Sequence, residues 1–488
     1  MKKTIAIIGS GFSALAASCY LAQQGNKVTI YEKNDTIGGR ARQFKKEGFT
    51  FDMGPSWYWM PDVFERFFQD FNKSTTDYYE LIKLNPAYRV YFGVDDFINI
   101  YDNLEEIKAT FESIEKGSGQ ELETFIKQAK SNYDIAIKDL VYRPGVSPLE
   151  LITLETTLKL NQFFSTVSND IHKKFKNERL IHILEFPVLF LGAKPTKTPS
   201  FYNFMNYADF GLGTWHPKTG MFDVVCAIEK LALELGVTIE TNSPIEKIIV
   251  ENNTANAIVI NEQTIPADII LSGADYQHTE TLLDNEHRAY SEKYWESRVF
   301  APSSLLFFVG FNKKIENISH HSLFFDVDFN QHAADIYDEP KWPDAPLFYA
   351  NFPSKTDLTA APNGMESGFF LIPLAPGIND SENLREEYFE KIITRFEKLT
   401  KQEIKNNIIF KRSFCKNDFV TEYNAYKGNA YGMANTLLQT AFLRPKLKSK
   451  KVHNLYFTGQ LTVPGPGVPP ALISGKLVAE LIQKSFRS

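Results

Sequence analysis

The amino-terminal segment constrains the fold of this chain more than any other part of the sequence. A β-branched apolar run, Thr4 to Ile8, is typical of a buried parallel strand. It is followed by the turn Gly9-Ser10-Gly11-Phe12-Ser13-Ala14 and by an Ala- and Leu-rich segment that predicts a helix from Ser13 to Gln24. A second strand is predicted from Lys27 to Tyr31, with Glu32 at its end. This order of strand, Gly-rich turn, helix and strand predicts an α/β fold of the Rossmann type.

The small residues of the turn each have a physical reason to be small. Gly9 makes the tight turn, and Gly11 lets the backbone approach a pyrophosphate at the helix N-terminus, where free N–H groups favour an anion. Ala14 stands where a small side chain allows the helix to pack closely on the strand. Glu32 follows Gly11 by about 20 residues, the spacing at which a carboxylate reaches ribose hydroxyl groups. The first segment therefore predicts dinucleotide contacts from Gly9, Ser10, Gly11, Phe12, Ser13, Ala14, Glu32 and Lys33.

A second pair of glycines indicates which dinucleotide is bound. Gly38, Gly39 and Arg40 follow Glu32 after five intervening residues. This pattern resembles the E-x-x-x-x-x-G-G-R segment of the flavin amine oxidase superfamily, whose members bind FAD. The resemblance implies that the Gly-Gly backbone and Arg40 reach the FAD phosphates and the ribityl chain, a role that suits the planar fork of a guanidinium group.

An unusually aromatic loop follows, from Phe51 to Pro61. It resembles the D-x-G-P segment that runs past the flavin in phytoene desaturases, and the resemblance implies that Gly54, Pro55, Ser56 and Trp57 line the isoalloxazine pocket. The same composition is also expected of a buried loop that packs on the first helix. The two interpretations are compatible with each other.

The carboxy-terminal segment from Tyr456 to Gly475 is rich in proline and glycine. It closely resembles the phytoene desaturase signature Y-x-x-G-x-x-T-x-P-G-x-G-x-P-x-x-x-x-S-G. In that family the loop approaches the flavin, and a strand that corresponds to residues 245–248 meets the adenine through its backbone. The resemblance therefore adds these residues to the expected FAD site: Gly459, Gln460, Gly467, Val468, Pro469 and Ile245.

The resemblance extends over the whole chain and identifies it as a member of the bacterial-type phytoene desaturases, within the flavin amine oxidase superfamily. It implies a Rossmann-type FAD-binding domain with an interleaved α+β substrate domain. The expected FAD-binding domain is discontinuous and comprises residues 1–85, 220–290 and 419–488. The expected substrate and membrane-associating domain comprises residues 86–219 and 291–418.

The function implied by this family is FAD-dependent desaturation of phytoene by hydride transfer, giving lycopene or a partly desaturated intermediate. Oxygen or a quinone is the implied electron acceptor. A carotenoid isomerase, a desaturase of hydroxylated carotenoids and a non-enzymatic prenyl- or lipid-binding relative remain alternatives. The intact Gly9, Gly11, Glu32, Gly39 and Arg40 argue against a relative that has lost FAD.

The middle of the chain predicts an apolar site, but the sequence identifies no residue as the catalytic base. The stretch from Leu180 to Gly192 is strongly apolar, and 40 Phe and 22 Tyr are available either to fill the core or to line a cavity. Glu185 and Asp209 are the acids in this region, and a buried carboxylate with a raised pKa is able to act as a base. Structural or exposed acids are the alternative for both.

The net charge and the cysteine content limit which binding partners and which cellular compartment are expected. The net charge of −6 argues against nucleic acid as a partner. The three cysteines are far apart and show no C-x-x-C spacing, so neither disulfides nor a metal site are expected, and a cytoplasmic location fits. A basic amphipathic helix predicted from Leu149 to Phe175 is suited either to a membrane surface or to a solvated face. We therefore expect a peripheral membrane protein that binds a long apolar polyene.

Overall fold

The computed structural model describes residues 2–189 and 191–486, which form sixteen α-helices and nineteen strands. The helices are α1 Phe12–Gln23, α2 Pro61–Gln69, α3 Leu104–Ile114, α4 Ser118–Lys138, α5 Leu154–Leu158, α6 Leu160–Phe164, α7 Val167–Lys174, α8 Glu178–Leu189, α9 Phe204–Phe210, α10 Phe222–Glu234, α11 Tyr276–Thr281, α12 Glu292–Glu296, α13 Phe329–Tyr337, α14 Glu382–Thr400, α15 Lys416–Tyr423 and α16 Val468–Ser485. The strands are β1 Thr4–Ile8, β2 Lys27–Tyr31, β3 Gln43–Lys46, β4 Phe49–Asp52, β5 Leu81–Lys83, β6 Tyr88–Gly93, β7 Asp96–Ile100, β8 Trp215–Pro217, β9 Thr238–Glu240, β10 Lys247–Glu251, β11 Thr254–Ile260, β12 Gln263–Pro266, β13 Ile269–Ser272, β14 Ser303–Phe311, β15 His321–Phe324, β16 Phe348–Asn351, β17 Glu366–Leu374, β18 Ile408–Phe414 and β19 Leu455–Phe457.

A five-stranded parallel sheet with the order β19-β13-β1-β2-β9 forms the first layer. Its central strand is apolar, as expected for a parallel strand covered on both faces, and Ile5 pairs with Val28 on one side and Ile269 on the other. Helix α1 packs against α10 and α16. At Gly475 a Cβ would lie 2.6 Å from the carbonyl oxygen of Ser13, so only glycine permits the approach of α16 to α1. This layer confirms the predicted Rossmann-type α/β fold.

A seven-stranded sheet with the order β18-β14-β17-β16-β15-β6-β7 forms the second large layer. Every residue of β14 is buried, and its side chains alternate between two cores. Leu306 and Phe308 belong to the core that surrounds the cofactor layer, whereas Phe307 packs under α14, with its ring centroid 4.9 Å from that of Phe389. The sheet therefore joins the main core to an outer helix.

The distribution of the strands supports the expected interleaving of two domains. Strands of the parallel sheet come from the segments 4–31, 238–272 and 455–457, and strands of the seven-stranded sheet come from 88–100 and 303–414. We propose the domain boundaries on this basis, with residues 1–85, 220–290 and 419–488 in one domain and residues 86–219 and 291–418 in the other.

The predicted basic helix from Leu149 to Phe175 is wrong. The segment is divided into a 3-10 turn, Pro148–Leu151, and the short helices α5, α6 and α7. Hydroxyl side chains explain the breaks, because Thr153 caps the start of α5 and Thr166 caps the start of α7, each accepting a bond from a backbone amide. No helix within the described ranges is both long and apolar enough to cross a bilayer.

Candidate functional site

One cavity of about 880 Å³ is lined by residues next to both the parallel sheet and the seven-stranded sheet. It begins where β1 and β2 end in the parallel sheet, beside the turn from Gly9 to Ser13, and extends between the seven-stranded sheet and the helical region that includes α4, α8 and α13. The edge at which parallel strands end is the usual place for ligands in doubly wound folds. The volume lies in the upper part of the range for small-molecule and cofactor sites, about 300–1,000 Å³.

Glu32 is fixed at the inner edge of this cavity. One carboxylate oxygen, Oε2, accepts hydrogen bonds from the backbone N–H and the hydroxyl of Ser10, at 2.9 and 2.6 Å. The other oxygen, Oε1, accepts bonds from the backbone N–H and the side-chain amide of Asn34, at 2.9 and 3.0 Å. The carboxylate therefore has a defined orientation at the end of β2, where ribose hydroxyl groups are expected.

The space beside Gly11 is open to a ligand. Gly11 precedes α1, and no side chain caps the free N–H groups of this helix. A Cβ built on Gly11 would have no protein atom within 4 Å. Gly39 packs closely against this turn, since a Cβ there would be 3.3 Å from the Cα of Gly11. The open space on the Cβ side of Gly11, at a helix N-terminus, fits a pyrophosphate group.

Arg40 adds a positive charge to the same region. Its side chain lines the cavity and donates one hydrogen bond, from Nη2 to the carbonyl of Asn429 at 3.2 Å, while Nε is buried without a protein partner. Burial lowers the pKa of Arg40, and the nearby Asp275 opposes this effect. A buried guanidinium group with an unpaired donor is costly unless an anion binds it, so this residue fits a phosphate of the cofactor.

The predicted cofactor residues meet around the cavity, with two exceptions. The lining includes Gly9, Ser10, Gly11, Phe12, Ser13, Glu32, Lys33, Gly38, Gly39, Arg40, Gly54, Pro55, Ser56, Trp57, Gly459, Gln460, Gly467, Val468 and Pro469. Ala14 lies behind it and packs as predicted, since a Cβ on Gly273 would be 2.7 Å from its methyl group. Ile245 precedes β10, outside both the strand and the lining, and its adenine contact stays a prediction.

The aromatic loop, the Gly-Gly-Arg segment and the carboxy-terminal loop depend on glycines where the backbone is crowded or has an unusual conformation. Gly54 lies so close to the carbonyl oxygen of Arg40 that any side chain at this position would collide with it. Gly459 and Gly467 both have positive φ angles, 103° and 113°, which favour glycine. The aromatic loop is therefore in direct contact with the Gly-Gly-Arg segment, and the carboxy-terminal loop lies close to the first turn, since a Cβ on Gly459 would be 3.1 Å from the hydroxyl oxygen of Ser13.

Sequence reasoning missed the contribution of α15 and its following turn. Glu422, Tyr423 and Asn424 line the cavity, and Lys33 Nζ donates to Asn424 Oδ1 at 3.1 Å. Arg42 forms an ion pair with Glu422 at 2.6 Å. No local motif marks this helix in the sequence, because its role depends on contacts with residues almost 400 positions away.

Neither acid considered as a base reaches the cavity. Asp209 is buried and accepts a hydrogen bond from the Tyr88 hydroxyl at 2.7 Å, and burial raises the pKa of Asp209 to about 8. Burial also raises the pKa of Glu185, which lies 3.8 Å from His172. Both are absent from the lining, so their positions match the structural alternative rather than contact with a substrate.

We call the part of the cavity that the predicted cofactor residues line the cradle. Beyond the cradle the cavity becomes an apolar chamber. Trp57 stands at the junction, with its ring centroid 5.5 Å from that of Phe186. The chamber walls are dominated by aromatic and aliphatic side chains, including Trp59, Phe186, Leu306, Leu323, Phe325 and Phe369. A chamber of this composition is suited to an apolar ligand rather than to water.

The cradle and the chamber together define an FAD-dependent oxidoreductase with an apolar substrate site. Residues 12–483 match the family of flavin containing amine oxidoreductases, and the chain belongs to this family. Within it the chain belongs to the carotenoid desaturases. It is 39% identical over 482 residues to the carotenoid 3,4-desaturase of Haloarcula japonica, covering 98% of this chain and 97% of the relative. It is 32% identical to a 4,4'-diapophytoene desaturase (4,4'-diaponeurosporene-forming) of Staphylococcus haemolyticus, covering 98% of both chains.

Solved structures show the same fold at low sequence identity. An oxidoreductase from Methanosarcina mazei is 17% identical and superposes with a TM-score of 0.65, covering 98% of this chain and 100% of the other. Cyclohexylamine oxidase from Brevibacterium oxydans is 14% identical, with a TM-score of 0.59 and complete coverage of both chains. These similarities confirm the architecture of a flavin amine oxidase.

Proposed function

We propose that this chain desaturates a long acyclic carotenoid of the phytoene type, giving lycopene or a partly desaturated intermediate. The main observation in support is that a single cavity joins the FAD cradle to an apolar aromatic chamber. The names of the relatives, among them a diapophytoene desaturase, support the choice of a polyene.

The protein's part in this reaction is to hold the polyene and to exclude water. When bound, FAD supplies the redox chemistry by accepting a hydride. The chamber walls beside Trp57 orient the carbon chain against the cofactor site, and desolvation there suppresses side reactions. The second hydrogen of each new double bond leaves as a proton. We propose oxygen or a quinone as the acceptor that reoxidises the flavin.

A second candidate is desaturation of the 3,4 bond of a carotenoid, including one that bears a hydroxyl group. The 39% identity to a carotenoid 3,4-desaturase, compared with 32% for the diapophytoene desaturase, favours it. The chamber also contains Ser304, which is 1% exposed and interacts with the hydroxyl of Tyr431. A polar substituent on the substrate would find hydrogen-bonding groups at this pair.

Product mass and absorbance distinguish these functions. The purified holoprotein is incubated with phytoene, or with a hydroxylated carotenoid, in lipid vesicles that contain a quinone or are equilibrated with oxygen. Loss of hydrogen pairs with a red shift in absorbance is expected for a desaturase. Unchanged mass with a changed spectrum identifies an isomerase, and binding of the polyene without flavin identifies a lipid-binding relative.

An exposed apolar rim lies beside the chamber and supports peripheral membrane association. We define this rim as Leu149, Ile152, Leu154, Leu158 and Phe164, whose exposed fractions lie between 66% and 79%. Residues that line the cavity alternate with them along the chain, namely Gly145, Ser147, Glu150, Thr156 and Phe163. Exposed apolar residues grouped in this way mark an interaction surface, and a polyene dissolved in lipid makes a bilayer the fitting partner.

Substitutions that introduce negative charge at the rim test the proposed membrane association. The double variant Leu154→Glu/Phe164→Glu is expected to bind vesicles at least about 100-fold more weakly, since burial of each large apolar side chain contributes roughly 1.5–3 kcal/mol. Cosedimentation with vesicles of neutral and anionic lipid measures the change. Leu358→Glu is the matched control, because Leu358 is 84% exposed but lies outside the cavity lining, near the β3–β4 hairpin. Equal binding of the rim variant and the control would contradict membrane docking through this surface.

A further inference from the structure

The proposed desaturation leaves one proton for which the cavity wall must provide a path. Each new carbon–carbon double bond requires two C–H bonds to break, one losing hydride to the flavin and the other losing a proton while its electron pair forms the π bond. We propose that Ser56 and Tyr349 receive this proton at the chamber wall and pass it through a second, water-sized cavity to the carboxylate of Asp52. The inference rests on the proposed function.

Ser56 and Tyr349 form the entrance of this path. Both line the main cavity, and their hydroxyl oxygens lie 2.9 Å apart. The Tyr349 hydroxyl is also 2.6 Å from Nδ1 of His321, whose ring stacks on Trp57 with a centroid distance of 4.0 Å. The two hydroxyl groups are thus held beside the loop that is expected to pass the flavin. Because hydride loss leaves the neighbouring C–H bond strongly acidic, a neutral oxygen is a sufficient first acceptor.

A second cavity of about 20 Å³ lies directly behind the same loop. Its volume exceeds the roughly 10–15 Å³ that one water molecule needs. Ser56 and Gly54 line both cavities, and Asp52, His216 and Asn351 line the small one. His216 is 3% exposed, and neither of its ring nitrogens has a protein partner. Buried polar atoms of this kind are normally satisfied, so a water molecule that bridges Ser56, His216 and Asp52 fits the site.

Asp52 is suited to be the final acceptor. Its Oδ1 accepts a bond from Gln43 at 3.0 Å and its Oδ2 accepts one from the backbone N–H of Met221 at 2.6 Å. Burial raises the pKa of Asp52 to about 6; these bonds oppose the rise, and the nearby Asp223 adds to it. The group is therefore ionised at neutral pH but binds a proton more readily than an ordinary aspartate.

The surroundings of the small cavity provide an exit for the proton. Thr219 lines it and is exposed to solvent, so a proton on Asp52 lies close to the surface. His216 and Asp357 are the other titratable groups of the lining; burial lowers the pKa of His216 to about 4, and Asp357 accepts two bonds from Thr359. Among the described residues, the carboxylates that line the main cavity are engaged elsewhere, with backbone amides, serine or arginine: Glu32, Glu150, Asp275 and Glu422.

Asp52→Asn tests the acceptor through the pH profile of single-turnover desaturation by the holoprotein with carotenoid in vesicles. In the unsubstituted protein the rate is expected to fall as the pH drops below about 6, because Asp52 becomes protonated and stops accepting. Asp52→Asn is expected to be about 100-fold slower, the lower end of the effect of a positioned proton acceptor, and to lack this inflection. Tyr349→Phe is expected to desaturate as slowly as Asp52→Asn but to keep the pH inflection of the unsubstituted protein. Tyr91→Phe is the control, because the Tyr91 hydroxyl bonds to Asn317 and Arg89 and Tyr91 lines neither cavity.

An infrared titration tests Asp52 without turnover. The FAD-loaded protein is expected to show a protonated carboxyl stretch that appears at about pH 6 and is absent from Asp52→Asn. No carboxyl group titrating in this range, or wild-type rates and pH profiles in both Asp52→Asn and Tyr349→Phe, would overturn the relay while desaturation by the parent protein still stands. No desaturation by the parent protein with any of the carotenoids would instead overturn the proposed function. If Asp52→Asn fails to fold, Ser56→Ala tests the entrance of the path, and it is expected to be slow like Tyr349→Phe and to keep the inflection; wild-type rates in both variants would overturn the relay.

Discussion

Gly11→Val is expected to abolish retention of FAD while leaving the fold intact. The backbone at Gly11 has φ −68° and ψ 169°, which any residue adopts, and a Cβ there would contact no protein atom within 4 Å. The valine side chain would instead occupy the open space at the start of α1. Loss of two charge-assisted hydrogen bonds to a pyrophosphate costs about 3–6 kcal/mol, so FAD affinity is expected to fall by more than about 100-fold.

Flavin absorbance per protein and equilibrium dialysis measure this loss, and thermal unfolding of the two FAD-free proteins checks the fold. Gly93→Val is a matched control, because Gly93 lies in β6, outside the cavity lining, and a Cβ there meets only the side chain of Asp96 at 3.7 Å. Normal flavin content and affinity in Gly11→Val would show that the turn does not bind the pyrophosphate.

Asp380→Ala is expected to destabilise the protein by about 3 kcal/mol, the lower end of the cost of removing one partner of a buried ion pair. Arg385 is 6% exposed, and its Nε and Nη2 donate to the two carboxylate oxygens of Asp380 at 2.8 and 2.7 Å. Asp380 also accepts a bond from the backbone N–H of Asn417, so it connects α14 to α15. Asp418, 2.8 Å from Nη2 of Arg385, remains and limits the loss.

Urea unfolding followed by fluorescence measures this change. The double variant Asp380→Ala/Arg385→Met is expected to recover part of the stability, because it removes the stranded charge. Asp95→Ala removes an exposed ion pair with Lys401 and is expected to cost less than about 1 kcal/mol. Equal stability of Asp380→Ala and Asp95→Ala would contradict the assigned role of the buried pair.

The pH dependence of this contribution has a definite sign. Burial raises the pKa of Asp380, but the bonds from Arg385 and Asn417 outweigh it and leave the pKa below its ordinary value. An aspartate with a depressed pKa stabilises the fold above its unfolded pKa, about 3.9, and the contribution is lost as the pH falls through the folded value. The stability difference between the protein and Asp380→Ala is therefore expected to be constant near neutrality and to shrink only in acid.

The parts of the structure that the sequence predicts best are those with local physical causes. The strands Thr4–Ile8 and Lys27–Tyr31 and the turn between them were predictable, because apolar β-branched runs and adjacent glycines specify them without help from distant residues. The helix from Leu149 to Phe175 was wrong, because apolar periodicity hid the capping preference of Thr153 and Thr166.

Motifs predicted many of the residues that line the main cavity, whereas nothing in the sequence predicted the small cavity. His216 and Asp52 belong to β8 and β4, and His321 belongs to β15. Their proximity follows from the packing of three different sheets and has no counterpart in sequence spacing. The same is true of Glu422 and Asn424, whose partners Arg42 and Lys33 are near the other end of the chain.

The position of β19 at the edge of the parallel sheet has a consequence for biosynthesis. Residues 455–469 supply this strand and one wall of the FAD cradle, although the rest of the sheet comes from the first 272 residues. Domains fold in the order in which a ribosome releases them, amino terminus first. The nascent chain therefore lacks a complete cradle through most of translation, and the wall formed by residues 455–469 is added only after the carboxy-terminal segment has emerged and docked.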